Sequence, residues 1–452
     1  MFHPRCAAGA LAVLAAAAVP AAAQDLIFPV GEGPFSWDGY EAFAAAHDFT
    51  GQTLEMTGAG TGNDAERYEN LYAYFAAATG AEVRYAGSDS FESDIVIAAQ
   101  ANSLPDVASF PQPGLAQDLA RQGVLVPLGE DVAGFMREAY AAGESWADLA
   151  TFEGPDGGTA PYGIFFGTDV KSLVWYSPEA FEEAGYEVPE TIEALKALTD
   201  RIVADGATPW CLGLGAGAAT GWPATDWVED FMLRTVEPEV YDRWTRGELP
   251  FDDPAVVNAI EEFGHFARNP DYTPQGPEGV VSIDFRDSPD GLFEFPPQCY
   301  MHKQASFIPI FFPEDVQVGE DAEFFYFPPF EGEDLGRPVL GSGGLQAVLT
   351  DSEMARAFID FLKLPVAHEI MMAQGQFLTP HLGANLDIYT TETQRALGEI
   401  LTSATTFRFD GSDLMPGEIG TNAFWTGMVD YVTGTPAEDV AARIEQRWSS
   451  IR

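Results

Sequence analysis

The sequence predicts an α/β protein of two lobes, and three observations carry that expectation. Beyond an apolar leader spanning residues 1–23, about 429 of the 452 residues remain, more than one hydrophobic core usually organises. Between residues 52 and 110, strand-like and helix-like stretches alternate, as they do when helices cover a largely parallel sheet. Residues 161–185, PYGIFFGTDVKSLVWYSPEAFEEAG, form an apolar aromatic run interrupted at Thr168, Asp169 and Lys171. Two strand-like halves around a polar notch predict a chain passing from one lobe into the other.

The leader carries Arg5, an apolar stretch at 7–19 and Ala21-Ala22-Ala23 before Gln24, the pattern of a secretory signal cut after Ala23. Cys6 lies upstream of the cut, so no lipid anchor is expected, and no later stretch has the ~18 apolar residues of a membrane span. The expected product is exported, without direct membrane insertion. Lys and Arg number 22 against 70 Asp and Glu, a formal net charge of −48. That field repels phosphate backbones and anionic lipid heads, which argues against nucleic acid as a partner. Past the leader only Cys211 and Cys299 remain, an even number in an oxidising compartment; this reads as a disulfide, the alternative being two buried free thiols.

In chain order, TLEMT at 53–57 predicts a strand, GAGTG a turn, and Asn63 with Glu66 a capping box opening a helix whose stripe is Tyr68, Leu71, Tyr72 and Phe75, ended by Gly80. A strand at 82–85, a helix at 91–101 and a strand at 106–110 follow. Thr191 caps a helix carrying Ile192, Leu195, Leu198 and Ile202. Residues 209–227 read as a Gly and Trp-rich loop, 228–235 as a helix, and 255–268 as another behind Asp253 and Pro254. Residues 269–298, rich in Pro, Gly and Asp, predict an irregular excursion. A helix at 352–364 should stop at Pro365, and Thr435-Pro436 should open the last one.

Several motifs fall short of the chemistry they suggest. GAGTGND at 58–64 sits where a dinucleotide fingerprint would, without its third glycine. His368-Glu369 starts a zincin helix, but Met372 stands where the second histidine belongs, and Cys211 and Cys299 without a His pair make a poor zinc site, so no metal is expected. Asp410, Ser412 and Asp413 hint at a calcium loop whose closing carboxylate, Glu418, comes too early; a capped turn fits better. No nucleophile elbow appears, and no catalytic residue or cofactor is expected. Instead, aromatic residues sit beside polar or glycine neighbours: Phe110 in SFPQPG, Trp222 and Trp227 in GWPATDW, Phe307 in HKQASF, and Phe424-Trp425 in TNAFWTG. Flat rings beside fixed hydrogen-bonding groups suit sugars, which offer C–H faces and a hydroxyl rim.

On 161–185 and these segments the sequence resembles the family 1 extracellular solute-binding proteins, the sugar receptors of ABC importers, and within them the alpha-glucoside branch. The resemblance implies a two-lobe periplasmic binding protein fold of type II kind, with discontinuous lobes joined by a three-segment hinge around a cleft. The crossings are then expected near 167–170, 326–330 and 363–367, giving an N-terminal lobe of 24–167 plus 328–364 and a C-terminal lobe of 168–327 plus 365–452. It implies a ligand-binding set of Phe110, Gln112, Asp169, Trp222, Asp226, Phe307, Gly343, Gly344 and Trp425, with Trp425 matching the family's "AFW" unchanged and Phe110 and Phe307 standing in for Trp. It further implies a monomeric periplasmic receptor that hands an oligosaccharide, an alpha-glucoside of maltose, sucrose or trehalose type, to permease subunits in the inner membrane. Two alternatives stay open: a receptor for another solute such as a quaternary ammonium osmolyte, and a secreted glycoside hydrolase.

Overall fold

The computed structural model describes residues 26–452 except 142, 390, 404 and 405, so the leader and its cut lie outside the described residues. Among the described residues there are eleven strands: β1 Thr53–Gly58, β2 Glu82–Gly87, β3 Val107–Phe110, β4 Thr151–Glu153, β5 Thr159–Pro161, β6 Gly163–Val170, β7 Leu173–Tyr176, β8 Met301–Lys303, β9 Glu323–Tyr326, β10 Pro338–Val348 and β11 Thr406–Phe409. A six-stranded sheet runs β11-β10-β3-β1-β2 with β6 also on β10, and a separate three-stranded sheet runs β8-β7-β9.

The first sheet begins as the alternation predicts. β1 pairs parallel with β2 and with β3, and the intervening helices Asn63–Thr79 and Phe91–Ala101 cover it. β10 is its longest strand, parallel to β11 at Pro338–Gly341 and antiparallel to β3 and β6 further along. The register of β10 on β6 slips between Ser342 and Gly344, a bulge placed where the sheet meets the cleft.

The notch at 168–171 is where the chain changes sheets: β6 ends at Val170 in the large sheet and β7 begins at Leu173 in the small one. A second change lies between β9 and β10. The third, expected at 363–367, does not coincide with a change of neighbours. The helix Pro365–Ala373 packs on the helices Trp37–Ala46 and Asn63–Thr79, and β11 joins the large sheet, so the chain leaves that sheet only after Phe409. Pro365 starts a helix there; the preceding one, Glu353–Leu362, is capped by Ser352 and ends two residues earlier than expected.

Local expectations fare unevenly. Thr191 and Asp253 accept hydrogen bonds from the first turns they precede, Gly80 ends its helix at φ +72°, and Ser352, expected as the first residue of its helix, is instead its cap. Asn63 is not a cap: the helix starts at Asn63 behind Gly62, and the Asn63 side chain donates instead to the Ile310 carbonyl, 3.3 Å away. The Trp-rich segment is not loop throughout, because a helix starts at Trp222 with Pro223 in its first turn and runs to Thr235. The excursion at 269–298 contains a short helix, Gly276–Ser282, and a 3₁₀ turn, Ser288–Leu292.

Two apolar clusters hold the molecule. One lies around the large sheet and takes in Phe285, Ile308 and Phe312, of which Phe285 reaches the cleft. The other fills the helical half around Trp210, Trp227, Trp244, Phe231 and Phe266. There Trp227 meets Trp210 edge-on at 5.2 Å and Phe266 at 5.1 Å.

Candidate functional site

Between the two halves lies a cavity of about 250 Å³ lined by both. The large-sheet side supplies the turn after β1 (Ala59, Gly60, Thr61), the start of the next helix (Asp64, Arg67, Tyr68), Tyr85, Glu92, Ser109, Gln112, Asp169 and the bulge at 342–344. The other side supplies Trp222, Phe285, Arg286, Phe307, Phe311, Asp413 and Trp425. The halves touch at the rim: Arg286 meets the Asp89 carboxylate at 2.6 Å, and Asn63 reaches Ile310.

Seven of the nine expected ligand-facing residues line this cavity: Gln112, Asp169, Trp222, Phe307, Gly343, Gly344 and Trp425. Trp222 and Trp425 are brought close by Gly221, which sits at φ +116° and would drive a Cβ into the Trp425 carbonyl. Trp222 packs on Phe285 at 5.0 Å and Phe307 at 6.1 Å, so three rings form one wall. The Trp425 indole nitrogen donates to Ser412 Oγ at 3.3 Å.

Phe110 and Asp226 are corrected. Successive residues of β3 face opposite ways; Ser109 points to the cleft, while Phe110 is fully buried against Phe91 at 5.3 Å. Asp226 lies one helical turn beyond Trp222 and beneath the cleft floor. Lys171 Nζ covers it, 2.9 Å from Asp226 and 2.5 Å from Asp410, with the ammonium 5.2 Å from the Trp222 ring. Asp226, Glu229 and Asp410 are, among the described residues, a carboxylate trio tight enough for a metal, but the Lys171 ammonium already contacts two of the three.

The polar lining was largely missed by sequence reasoning: Arg67, Glu92, Arg286 and Gln376 carry no motif that separates them from surface polars, and Asp64 and Asp413, although they fall in motifs considered for other chemistry, are not marked as ligand-facing among the chain's 70 acids. Burial gives the signal that sequence lacks. Among the described residues, twelve buried side-chain atoms lack a hydrogen-bond partner, within the few per hundred residues that native proteins keep, but five of them, Arg67 Nε, Glu92 Oε2, Gln112 Oε1, Arg286 Nε and Gln376 Oε1, are gathered at this one cavity. Burial also raises the carboxyls of Asp64, Glu92 and Asp413. Asp169, which accepts from Ser306 Oγ at 3.2 Å and Ser342 Oγ at 3.5 Å, is pushed up to about 6 by burial, against the pull of Lys171. Asp410 serves as the expected capped turn, accepting from Ser412 Oγ and the Asp413 amide, each at 2.9 Å.

His368 is enclosed, bonded to Thr379 and the Leu362 carbonyl, and Glu369 holds Ser36 and the Asn385 amide, so this pair serves structure. Cys211 and Cys299 form a disulfide with Cα atoms 5.3 Å apart, so the free-thiol alternative falls.

A cleft of aromatic walls and unpartnered polar groups between two α/β halves defines a solute-binding protein, and residues 59–368 match the bacterial extracellular solute-binding protein family, to which the chain belongs. It is 56% identical over 432 residues, 95% of this chain and 94% of the relative, to the alpha-glucosides-binding periplasmic protein AglE of Rhizobium meliloti (strain 1021). It is 43% identical, over 87% of this chain and 92% of the relative, to the osmoprotective compounds-binding protein GgtB of Synechocystis sp. (strain ATCC 27184 / PCC 6803 / Kazusa). Among solved structures, the bacterial solute receptor AcbH superposes with a TM-score of 0.75 at 18% identity, covering 88% of this chain and 99% of its own. At that identity the likeness speaks for the fold.

Proposed function

We propose that this protein is the periplasmic receptor of an ABC importer, capturing an alpha-glucoside of disaccharide size and delivering it to permease subunits in the inner membrane. The observation that carries the reading is the pairing of ring faces (Trp222, Phe307, Trp425) with buried unpartnered donors and acceptors (Arg67, Glu92, Gln112) in one cavity. C–H faces of a sugar satisfy the first, and its hydroxyls the second. The high identity to an alpha-glucosides-binding relative supports the choice of sugar. Capture is a shift between open and closed arrangements with no covalent step. In this reading the mature protein begins at Gln24, acts as a monomer and needs no cofactor.

The lobes we propose are discontinuous: the chain up to 170 with 338–409 forms the first, and 173–326 with 411–452 the second. The sheet memberships of β6, β7, β10 and β11 support these limits.

A second reading, a cationic osmolyte as solute, draws on the six carboxylates against three cations that line the cavity. Calorimetry with maltose, trehalose and sucrose against glycine betaine and choline separates the two. Micromolar binding of at least one disaccharide, about −8 kcal/mol, is expected. Binding of only the quaternary ammonium compounds would overturn the sugar reading. Turnover of an aryl alpha-glucoside would overturn the receptor reading altogether.

A further inference from the structure

The helix Trp222–Thr235 is buried along its length and carries a run of ionisable residues that a buried helix seldom tolerates. Asp226, Glu229, Asp230 and Arg234 are at most 3% exposed. Their spacing puts them along one face. Between them they grip the two connections where the chain changes sheets and the stretch where it leaves the large sheet after β11.

Between β6 and β7, Lys171 donates to Asp226 at 2.9 Å, and Ser172 Oγ donates to Asp230 at 2.6 Å. Between β9 and β10, Arg234 donates to the Phe327 carbonyl at 2.7 Å and to that of Pro328 at 3.1 Å. The Leu340 amide, at the start of β10, donates to Ser172 Oγ at 2.9 Å, which joins the first connection to the second. After β11, Glu229 accepts from the Gly411 and Ser412 amides at 2.9 and 2.8 Å. Lys303 completes the charge balance at 2.8 Å from Asp230. The cavity is wired to the same face, because Trp425 donates to Ser412 Oγ, and Lys171, Asp410 and Trp222 all line it.

We propose that Glu229 and Asp230 are positioning residues for solute capture: with one helix face they hold all three interlobe connections in the arrangement that brings the lobes together, and so set the closed fraction without touching the solute. This rests on the two-lobe receptor reading. When binding requires the closed form, the apparent dissociation constant is the intrinsic one divided by the closed fraction. Loosening the connections therefore weakens every solute by the same factor. Loss of a contact residue instead weakens solutes unequally, according to which of their groups it met.

The tests are Glu229→Gln, whose single amide oxygen replaces two carboxylate oxygens bonded to two backbone amides, and Ser172→Ala, which removes the link between Asp230 and the Leu340 amide. Ser172→Ala keeps the proposal falsifiable if Glu229→Gln does not fold. Dissociation constants for maltose, trehalose and sucrose are measured by calorimetry. In parallel, interlobe distances in solute-free protein are measured by pulsed electron resonance between one spin label on each lobe. We expect a common rise, about tenfold, for every sugar the parent binds, with interlobe distances shifted to longer values. Variants that bind as the parent does and keep its distance distribution overturn the proposal, even if they melt lower, and so do unequal changes among the sugars. If the parent binds none of these sugars, the distance measurement still decides this proposal, while the alpha-glucoside reading fails on its own.

Discussion

Replacing Asp169 by Asn should make the solute-free protein more stable and the receptor worse. In the folded chain the Asp169 carboxyl is pushed from 3.8 up to about 6, first by burial; Lys171, Ser306 and Arg67 act in the opposite direction, and the nearby Asp64 adds to the rise. The folded value lies above the unfolded one, so between those two pH values the folded state keeps a proton that the unfolded state has released. Stability from this group therefore falls as pH rises through the window, and the penalty is complete above it. The gap corresponds to ~3 kcal/mol, an upper figure because the carboxyl keeps some contact with the cleft. Asn carries no charge to desolvate, so Asp169→Asn should gain of order 1–3 kcal/mol at pH 7.5, seen as a higher melting temperature. Binding moves the other way, since an ionised acceptor holds hydroxyls more strongly than an amide does. In the parent, affinity should drop about tenfold from pH 7.5 to pH 5, where only about a tenth of such a group is ionised. In the variant, that part of the pH dependence should vanish. Asp64, Glu92 and Asp413 are also raised but are present in both proteins, so the difference between them isolates Asp169. Equal pH profiles in parent and variant, or a lower melting temperature for the variant at pH 7.5, would refute the reasoning.

Two more expectations concern the links between walls. Cys211 and Cys299 are 88 positions apart, so replacing both by Ser should cost up to ~4.6 kcal/mol in the chain-entropy model, and thermal melts with and without reductant should show the same drop in the parent only. Asp89→Asn removes the ion pair with Arg286 across the cleft mouth; both side chains keep solvent contact, so the loss should be no more than ~1 kcal/mol, read in stopped-flow as solute dissociation a few times faster, with association unchanged. An unaltered dissociation rate would show that this pair does not hold the mouth.

The first half of the large sheet was legible because its signals are local. The apolar stripe of the helix Asn63–Thr79 and the αL glycine at 80 that ends it depend on a handful of neighbouring residues, as do the caps at Thr191 and Asp253 in the helical half. Asn63 shows where local reasoning stops: its side chain had a partner available 247 positions away, on the Ile310 carbonyl, and took it in place of the cap. The third connection was misplaced for a related reason. Pro365 looks like a boundary, yet proline is equally at home in the first turn of a new helix, and only the pairing of β11 with β10 reveals that the chain stays with the large sheet.

The site divides along the same line. Aromatic residues flanked by glycine and polar neighbours stand out in a sequence, and Trp222, Phe307 and Trp425, singled out that way, line the cavity. Phe110 looked identical by that criterion and failed on a parity that its segment leaves open: which of two adjacent strand residues, Ser109 or Phe110, faces the cleft is fixed by the pairing of β3 with β1 and β10. The acids could not be sorted at all, since at 70 per chain their number removes any information from a single carboxylate. What distinguishes the few that matter is that they have been taken out of water. In a chain of net charge −48, nearly every carboxylate has the option of facing solvent, and burying one is costly unless it is paired or hydrogen-bonded. Where Asp226, Glu229 and Asp230 are nonetheless buried, each has such partners in the connections between lobes or in Lys303 and Arg234. Where Glu92 is buried at the cavity, one of its carboxylate oxygens has none. The first group is satisfied by the fold; the second, on the reading proposed above, is left for a solute hydroxyl to satisfy.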